Sequence, residues 1–225
     1  QGLGGQAAIG QSEVDQYLNA ATGNLVLQNA DEGLIFDGLP LDVLRTYNSQ
    51  GQLSGDQGWL SGFSRSVGGL TGKLNHRGSK VVRTADDGST VRYDYDTTLG
   101  LYVSQGQNGS LDTLSWDVAT SDWSWSDRAH SQQETYDAAG QLTALSDTRT
   151  GARYSFSYSG SQLSQITSAD GDTLLFGYDV ANRLVTLSIQ AVPPGQTTVV
   201  TRQQVGYAYD AQGRTLPVTQ GAGSA

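Results

Sequence analysis

One short phrase occurs four times in the C-terminal half of this chain. Tyr136-Asp137-Ala138-Ala139-Gly140-Gln141-Leu142 comes back as Tyr158-Ser159-Gly160-Ser161-Gln162-Leu163. It comes back again as Tyr178-Asp179-Val180-Ala181-Asn182-Arg183-Leu184, and last as Tyr209-Asp210-Ala211-Gln212-Gly213-Arg214. The first three copies start 22 and 20 residues apart. Self-similarity at that period marks one supersecondary unit copied in series. A unit of this size cannot bury its apolar face alone, so the copies must stack. That argues for a serial β-architecture and against a compact enzyme.

The unit can be read residue by residue. Gly151, Tyr154, Phe156 and Tyr158 recur 20 positions later as Gly171, Leu174, Phe176 and Tyr178. Each set is a Gly turn followed by a strand with three residues on one face. Tyr buries its ring and sends its hydroxyl to a backbone partner. Asp opens a turn by accepting from backbone N–H groups two residues on. Gly, or Asn182, takes the positive φ that closes the turn. Leu142 and Leu145, Leu163 and Ile166, and Leu184 and Leu187 then rebuild the core. The run Val192-Pro193-Pro194-Gly195 is an insertion that stretches the last spacing to 31 residues.

Upstream, the same alternation predicts further hairpins and no long amphipathic helix. Asp87-Gly88, Asn108-Gly109 and Asp170-Gly171 are two-residue hairpin signals. Val91, Tyr93 and Tyr95 share one face, and Trp123 and Trp125 flank Ser124. Nearer the N-terminus, Thr22-Gly23-Asn24 and Asp37-Gly38 are turns beside half-buried strands, and Trp59 is a core anchor after Gly58. The expected divisions are a flexible linker at 1–13, an N-terminal β segment at 14–78 and a hairpin region at 79–130. Repeats follow at 131–219 and a flexible tail at 220–225. The fold class is all-β, built from serial antiparallel hairpins with little or no helix.

Composition narrows the partners. The net charge is −9, and the only lysines are Lys73 and Lys80. Such a surface repels phosphate backbones and anionic bilayers, so no nucleic acid partner and no membrane insertion are expected. No apolar run reaches spanning length. Cys is absent, which excludes disulfides and thiolate metal sites and fits export from a bacterium. Met is absent too, even at position 1, so the chain reads as processed or as a fragment of something larger.

The repeats resemble those of the Rhs/YD-repeat family, whose motif Y-D-x-x-G-x-L is complete at Tyr136, Asp137, Gly140 and Leu142. Copies with departures stand at Tyr158 and Leu163, at Tyr178, Asp179 and Leu184, and at Tyr209, Asp210 and Gly213. Ala21-Thr22-Gly23-Asn24-Leu25, Gly38-Leu39-Pro40-Leu41, Arg45-Thr46-Tyr47-Asn48-Ser49 and Gly58-Trp59 are similar to the segment that opens the repeat region in bacterial Rhs proteins. The resemblance implies a twisted, spiralling sheet that forms part of a hollow shell. It also implies a secreted or cell-surface bacterial protein that encloses or presents a toxin or effector. Carbohydrate-binding adhesion, or assembly into a surface fibre, is the alternative it implies. The D-P-x-G-L motif that ends such shells is missing, and about four units are too few to enclose a cargo. The implied partners are the remainder of a larger Rhs-type chain, or copies of this one joined through sheet edges, with carbohydrate as a further candidate.

Catalytic fingerprints such as H-E-x-x-H, G-x-S-x-G or a P-loop are missing. His76 and His130 stand far apart in polar stretches and read as solvated. Asp86-Asp87-Gly88 and Asp170-Gly171-Asp172 offer two carboxylates each, where calcium takes six to eight oxygens, so they read as turns. No spacing picks out a carboxylate pair for glycoside hydrolysis. No enzyme activity, metal or cofactor is therefore expected. The candidates for a sugar-binding surface are Trp116, Trp123, Trp125 and Tyr102, because rings stack on sugar faces; the same alternation also suits core residues. Leu216-Pro217-Val218-Thr219-Gln220 resembles a wall-sorting signal, but its fifth residue is Gln and no apolar span follows.

Overall fold

The computed structural model describes residues 65–85, 88–104, 112–193 and 195–210, with side chains at all of these except 202–205. It also describes the backbone of five strands outside that range, at 14–19, 24–36, 39–48, 59–61 and 219–222. Every element among the described residues is a strand, which fulfils the all-β expectation.

The first strands are β1 (Val14–Asn19), β2 (Asn24–Phe36), β3 (Leu39–Asn48) and β4 (Trp59–Ser61). They pair antiparallel in chain order. Asn19 faces Asn24 and Phe36 faces Leu39, so the hairpins fall where the Gly turns were read. The tips of those turns, the 1–13 linker and the Trp59 side chain lie outside the described residues.

A longer antiparallel sheet follows. Its strands are β5 (Ser66–Thr71), β6 (Lys80–Thr84), β7 (Thr90–Asp96), β8 (Leu101–Ser104), β9 (Asp112–Asp117), β10 (Asp122–Asp127) and β11 (Gln132–Tyr136). It continues through β12 (Leu142–Asp147), β13 (Arg153–Ser159), β14 (Gln162–Ser168), β15 (Thr173–Tyr178), β16 (Leu184–Ala191), β17 (Val200–Gly206) and β18 (Thr219–Ala222). Its strand order is the chain order, as expected of hairpins laid down in series. The Asp87 and Asn108-Gly109 tips lie outside the described residues. One correction concerns the C-terminus. Thr219–Ala222 overlaps the expected flexible tail, yet it is a strand that pairs with β17 from Gly206↔Thr219 to Gln203↔Ala222. Backbone pairing with a neighbour orders even a Gly/Ala-rich segment. The chain divides into two compact units, Gln1–Ser131 with Thr135–Leu142, and Gln132–Glu134 with Thr143–Ala225.

Alternation sets the core. Tyr154 and Phe156 are buried while Arg153, Ser155 and Ser157 are exposed. Leu174 and Phe176 repeat that pattern in β15. Leu142, Leu163, Ile166 and Leu187 are buried as well.

Two kinds of Asp turn join the strands. The first is the repeated Tyr-Asp turn. Asp137 N–H donates to the Gln141 carbonyl at 2.9 Å, and Gln141 N–H donates back to Asp137 Oδ1 at 2.9 Å. Asp179 makes the same two bonds with Arg183, each 2.9 Å, and Asp179 Oδ1 also accepts from Ala181 N–H. Gly140 and Asn182 close these turns at φ 82° and 63°. The second kind uses an Asp four residues before a left-handed position, a pattern not read from the sequence. Asp96, Asp117, Asp127 and Asp147 each accept, through Oδ1, from the backbone N–H two residues on, at 2.7–2.8 Å. The closing residues are Gly100, Ser121, Ser131 and Gly151, all with positive φ. Asp117, Asp127, Asp137 and Asp147 are thus ten residues apart, one strand plus one turn.

These carboxylates make folding pH-dependent. The Thr150 and then the Arg149 backbone N–H hold Asp147 below the usual carboxylate range. The Arg183 N–H, and then its side chain, do the same for Asp179. Depressed folded-state values stabilise the fold above the ordinary aspartate value of about 3.9, and this is lost as pH falls through the lower folded values. Melting temperature followed by circular dichroism should therefore drop on acidification below about pH 4. Combining Asp147→Asn with Asp179→Asn should flatten that acid limb.

Candidate functional site

The repeated tyrosines reach backwards along the chain. Tyr178 Oη donates to the Leu163 carbonyl at 2.8 Å, and Tyr209 Oη donates to the Leu184 carbonyl at 2.7 Å. Leu163 and Leu184 are the leucines that end the preceding Tyr motifs. Each such tyrosine therefore ties its own unit to the one before it. Burial pushes the Tyr178 hydroxyl up to about 12, because a phenolate there would lose its hydration. A second link joins the Tyr178 and Tyr209 units. The Arg183 guanidinium pairs with Asp179 at 2.7 Å and lies 4.6 Å from the Tyr209 ring centroid, over its face.

Upstream, four aromatic rings form a ladder. Tyr95 packs edge-on against Tyr102 at 5.0 Å, Tyr102 against Trp123 at 5.3 Å, and Trp123 against Trp116 at 5.1 Å. Strand pairing sets this order, with Tyr95 opposite Tyr102 and Trp116 opposite Trp123. The loop between β5 and β6 fastens onto the ladder. Asn75 N–H donates to Tyr102 Oη at 2.9 Å, Asn75 Nδ2 donates to the Trp116 carbonyl at 3.4 Å, and the buried Ser79 Oγ lies 3.0 Å from Tyr102 Oη.

Beside the ladder lies a buried polar network. Tyr93 Oη donates to Asp112 Oδ2, Trp125 Nε1 donates to Tyr93 Oη at 2.9 Å, and Ser104 Oγ donates to Asp112 Oδ1 at 3.0 Å. Arg83 donates from Nε to Tyr136 Oη at 3.2 Å, and its guanidinium lies 3.8 Å from the Trp125 ring centroid. Burial, and then the hydrogen bond and charge of Asp112, push the Tyr93 hydroxyl well above its ordinary value. Arg83, Asp112 and Glu134 are buried charged residues. A buried network of this kind favours one core arrangement over others when its members are paired.

The family model for the RHS Repeat matches residues 136–171. These residues form an Rhs repeat. Among curated proteins, none matches the chain. The matched Rhs repeat opens on Tyr136 and closes on Gly171, a left-handed glycine at φ 90°. It therefore holds the complete motif and the shortened copy at Tyr158, whose turn is the pair Gly160-Ser161 between Ser159 and Gln162. Within the Rhs repeat region the structure places Tyr136, Leu142 and Leu163 in the core and leaves Tyr158, Tyr178 and Leu184 half-buried. Asp137, Asp179 and Gly140 are at the turns; Tyr209 and Asp210 are described, and Gly213 lies outside the described residues.

The candidate sugar-binding aromatics need correction. Tyr102 is 0% exposed, Trp123 5% and Trp125 6%. Their faces are covered by neighbouring rings and by Arg83, so no face is left for a sugar. Trp116 is half-buried with one side against Trp123. Among the described residues, no group of three or more His, Cys, Asp or Glu side chains is arranged to hold a metal. His130 is paired with Asp127 at 2.6 Å in an exposed turn. The sequence reading missed Arg83 and Asp112. The available signal was phase: Arg83 stands two residues from the buried Val81, and Asp112 two residues from the buried Leu114.

Two substitutions test these assignments by urea denaturation. Tyr178→Phe should lower stability by about 1 kcal/mol, the usual worth of one such hydrogen bond. Trp123→Ala should lower it by about 3–5 kcal/mol, as for a large buried ring. A near-neutral Trp123→Ala would contradict the core placement.

Proposed function

We propose that this chain is a non-catalytic β-scaffold from the early part of a secreted or surface-displayed bacterial Rhs shell that encloses or presents a toxin or effector. Its serial sheet and its Rhs repeat support a β-scaffold repeat protein of the Rhs family. The observation that carries the finer reading is the constancy of the unit-to-unit bond. Tyr178 and Tyr209 both reach the preceding leucine carbonyl, although the spacing to the previous motif is 20 residues in one case and 31 in the other. A contact held fixed while loop length varies belongs to a device for extending a sheet. The side chains best placed for chemistry, Tyr93, Asp112 and Arg83, are instead buried in mutual contacts. Further strands would come from the remainder of a larger chain, or from second copies joined at sheet edges.

The native product, detected with antibodies against this chain, tests the reading. A species much larger than this chain, seen as hollow particles by negative-stain electron microscopy, is expected. A native species of this chain's own size that stays monomeric in light scattering would overturn it.

A further inference from the structure

The first Tyr-Asp motif does something that the later ones do not. Val67, on the first strand of the long sheet, donates its N–H to the Gly140 carbonyl at 3.0 Å. Ser66 forms an antiparallel bridge with Gln141. The free edge of β5 therefore meets the turn that follows β11. Between them the chain has laid down β6 to β11, so the sheet returns to its own starting strand. Arg83 on β6 makes the same return through the interior, where its Nε donates to Tyr136 Oη, 53 residues later.

Gly140 is fitted to this contact. It is buried, whereas Ala138 and Ala139 of the same turn are exposed. A Cβ at Gly140 would overlap the Val67 carbonyl oxygen and stand 2.9 Å from the Val67 carbonyl carbon. By contrast, Gly151, Gly160 and Gly171 have positive φ and nothing within 4 Å of an added Cβ. They answer to backbone conformation alone, while Gly140 answers to conformation and to close approach. The enclosed interior is filled: Val81, Tyr93, Tyr102, Leu114 and Tyr136 are all 0% exposed.

We infer that the first Tyr-Asp turn is a latch that closes the sheet onto β5, making the stretch from Ser66 to Leu142 a solid cap. The inference rests on the scaffold reading for its consequence, which is that any cargo space in a larger shell begins after Leu142. Closure also covers the part of the β5 edge that would otherwise be open to pairing with another strand. The latch itself can be tested on this chain alone, so its failure is separable from failure of the shell reading.

Gly140→Ala is compared with Gly151→Ala, which carries a similar positive φ without the clash. Native-state hydrogen exchange is read at the Val67 amide. Gly140→Ala should speed that exchange by about two orders of magnitude while β13 to β16 stay protected, a sub-global opening. Gly151→Ala should leave Val67 protected. Equal Val67 protection in the two variants overturns the latch. Because Gly140→Ala risks failing to fold, a second test uses Ser66→Cys with Gln141→Cys in a chain that has no cysteine of its own. Directly opposed strand partners lie within disulfide reach. Mild oxidation should cross-link the folded double variant and protect β5; free thiols after oxidation overturn the proposal.

Discussion

A tyrosine hydroxyl carried into a sheet core must find a partner, because an unpaired one costs free energy on burial. In this chain Tyr178 and Tyr209 find a carbonyl of the preceding unit. The ring contributes apolar area to its own unit and the hydroxyl fixes the distance to the previous one. Stacking of units, which none of them can dispense with, is therefore specified by a directional bond as well as by apolar burial. Arg183 adds a second link to the same pair by lying between Asp179 and the Tyr209 ring. At the start of the series, Tyr136 accepts from Arg83, so the first unit is tied to strands that carry no Tyr-Asp motif.

The acidic composition takes on a different meaning beside the turns. Asp96, Asp117, Asp127, Asp137, Asp147 and Asp179 each place a carboxylate oxygen on backbone N–H groups at a hairpin. Six of the 22 acidic side chains thus work as local hydrogen-bond acceptors. A binding surface for cations is not needed to account for them. The same turns explain why two of the left-handed positions do without glycine. Ser121 and Ser131 hold positive φ without glycine because the Asp four residues earlier has already organised the loop.

Much of the fold was legible in the sequence because its periods are short and local. Alternation around Ser155, Ser157 and Ser124 gave strand faces, and Tyr-Asp with Gly140 or Asn182 gave the turns together with the residue that closes each. The Asp-to-Gly/Ser turn at Asp96, Asp117, Asp127 and Asp147 was present at fixed spacing but carries no two-residue hairpin signal. The interior network was harder to read. Pairing Arg83 with Tyr136 or Tyr93 with Asp112 requires knowing how strands far apart in sequence come together, and no local period contains that. The same gap explains the aromatic candidates. Tyr102, Trp123 and Trp125 have the residue types of a sugar platform, and only their burial decides against it.

The loop from Val192 to Val199 lengthens one spacing while Ala191 still pairs with Val200 and Tyr209 still reaches Leu184. Val192 and Val199 at its two ends are exposed. Extra residues at this point are carried beyond the paired ends of β16 and β17, whose pairing persists with one register shift between Ile189 and Gln190. Loop closure becomes only slowly more costly with length. The loop is therefore a natural port in the scaffold, where a reporter peptide, a protease site or a whole folded insert can be carried without altering the register of the strands on either side.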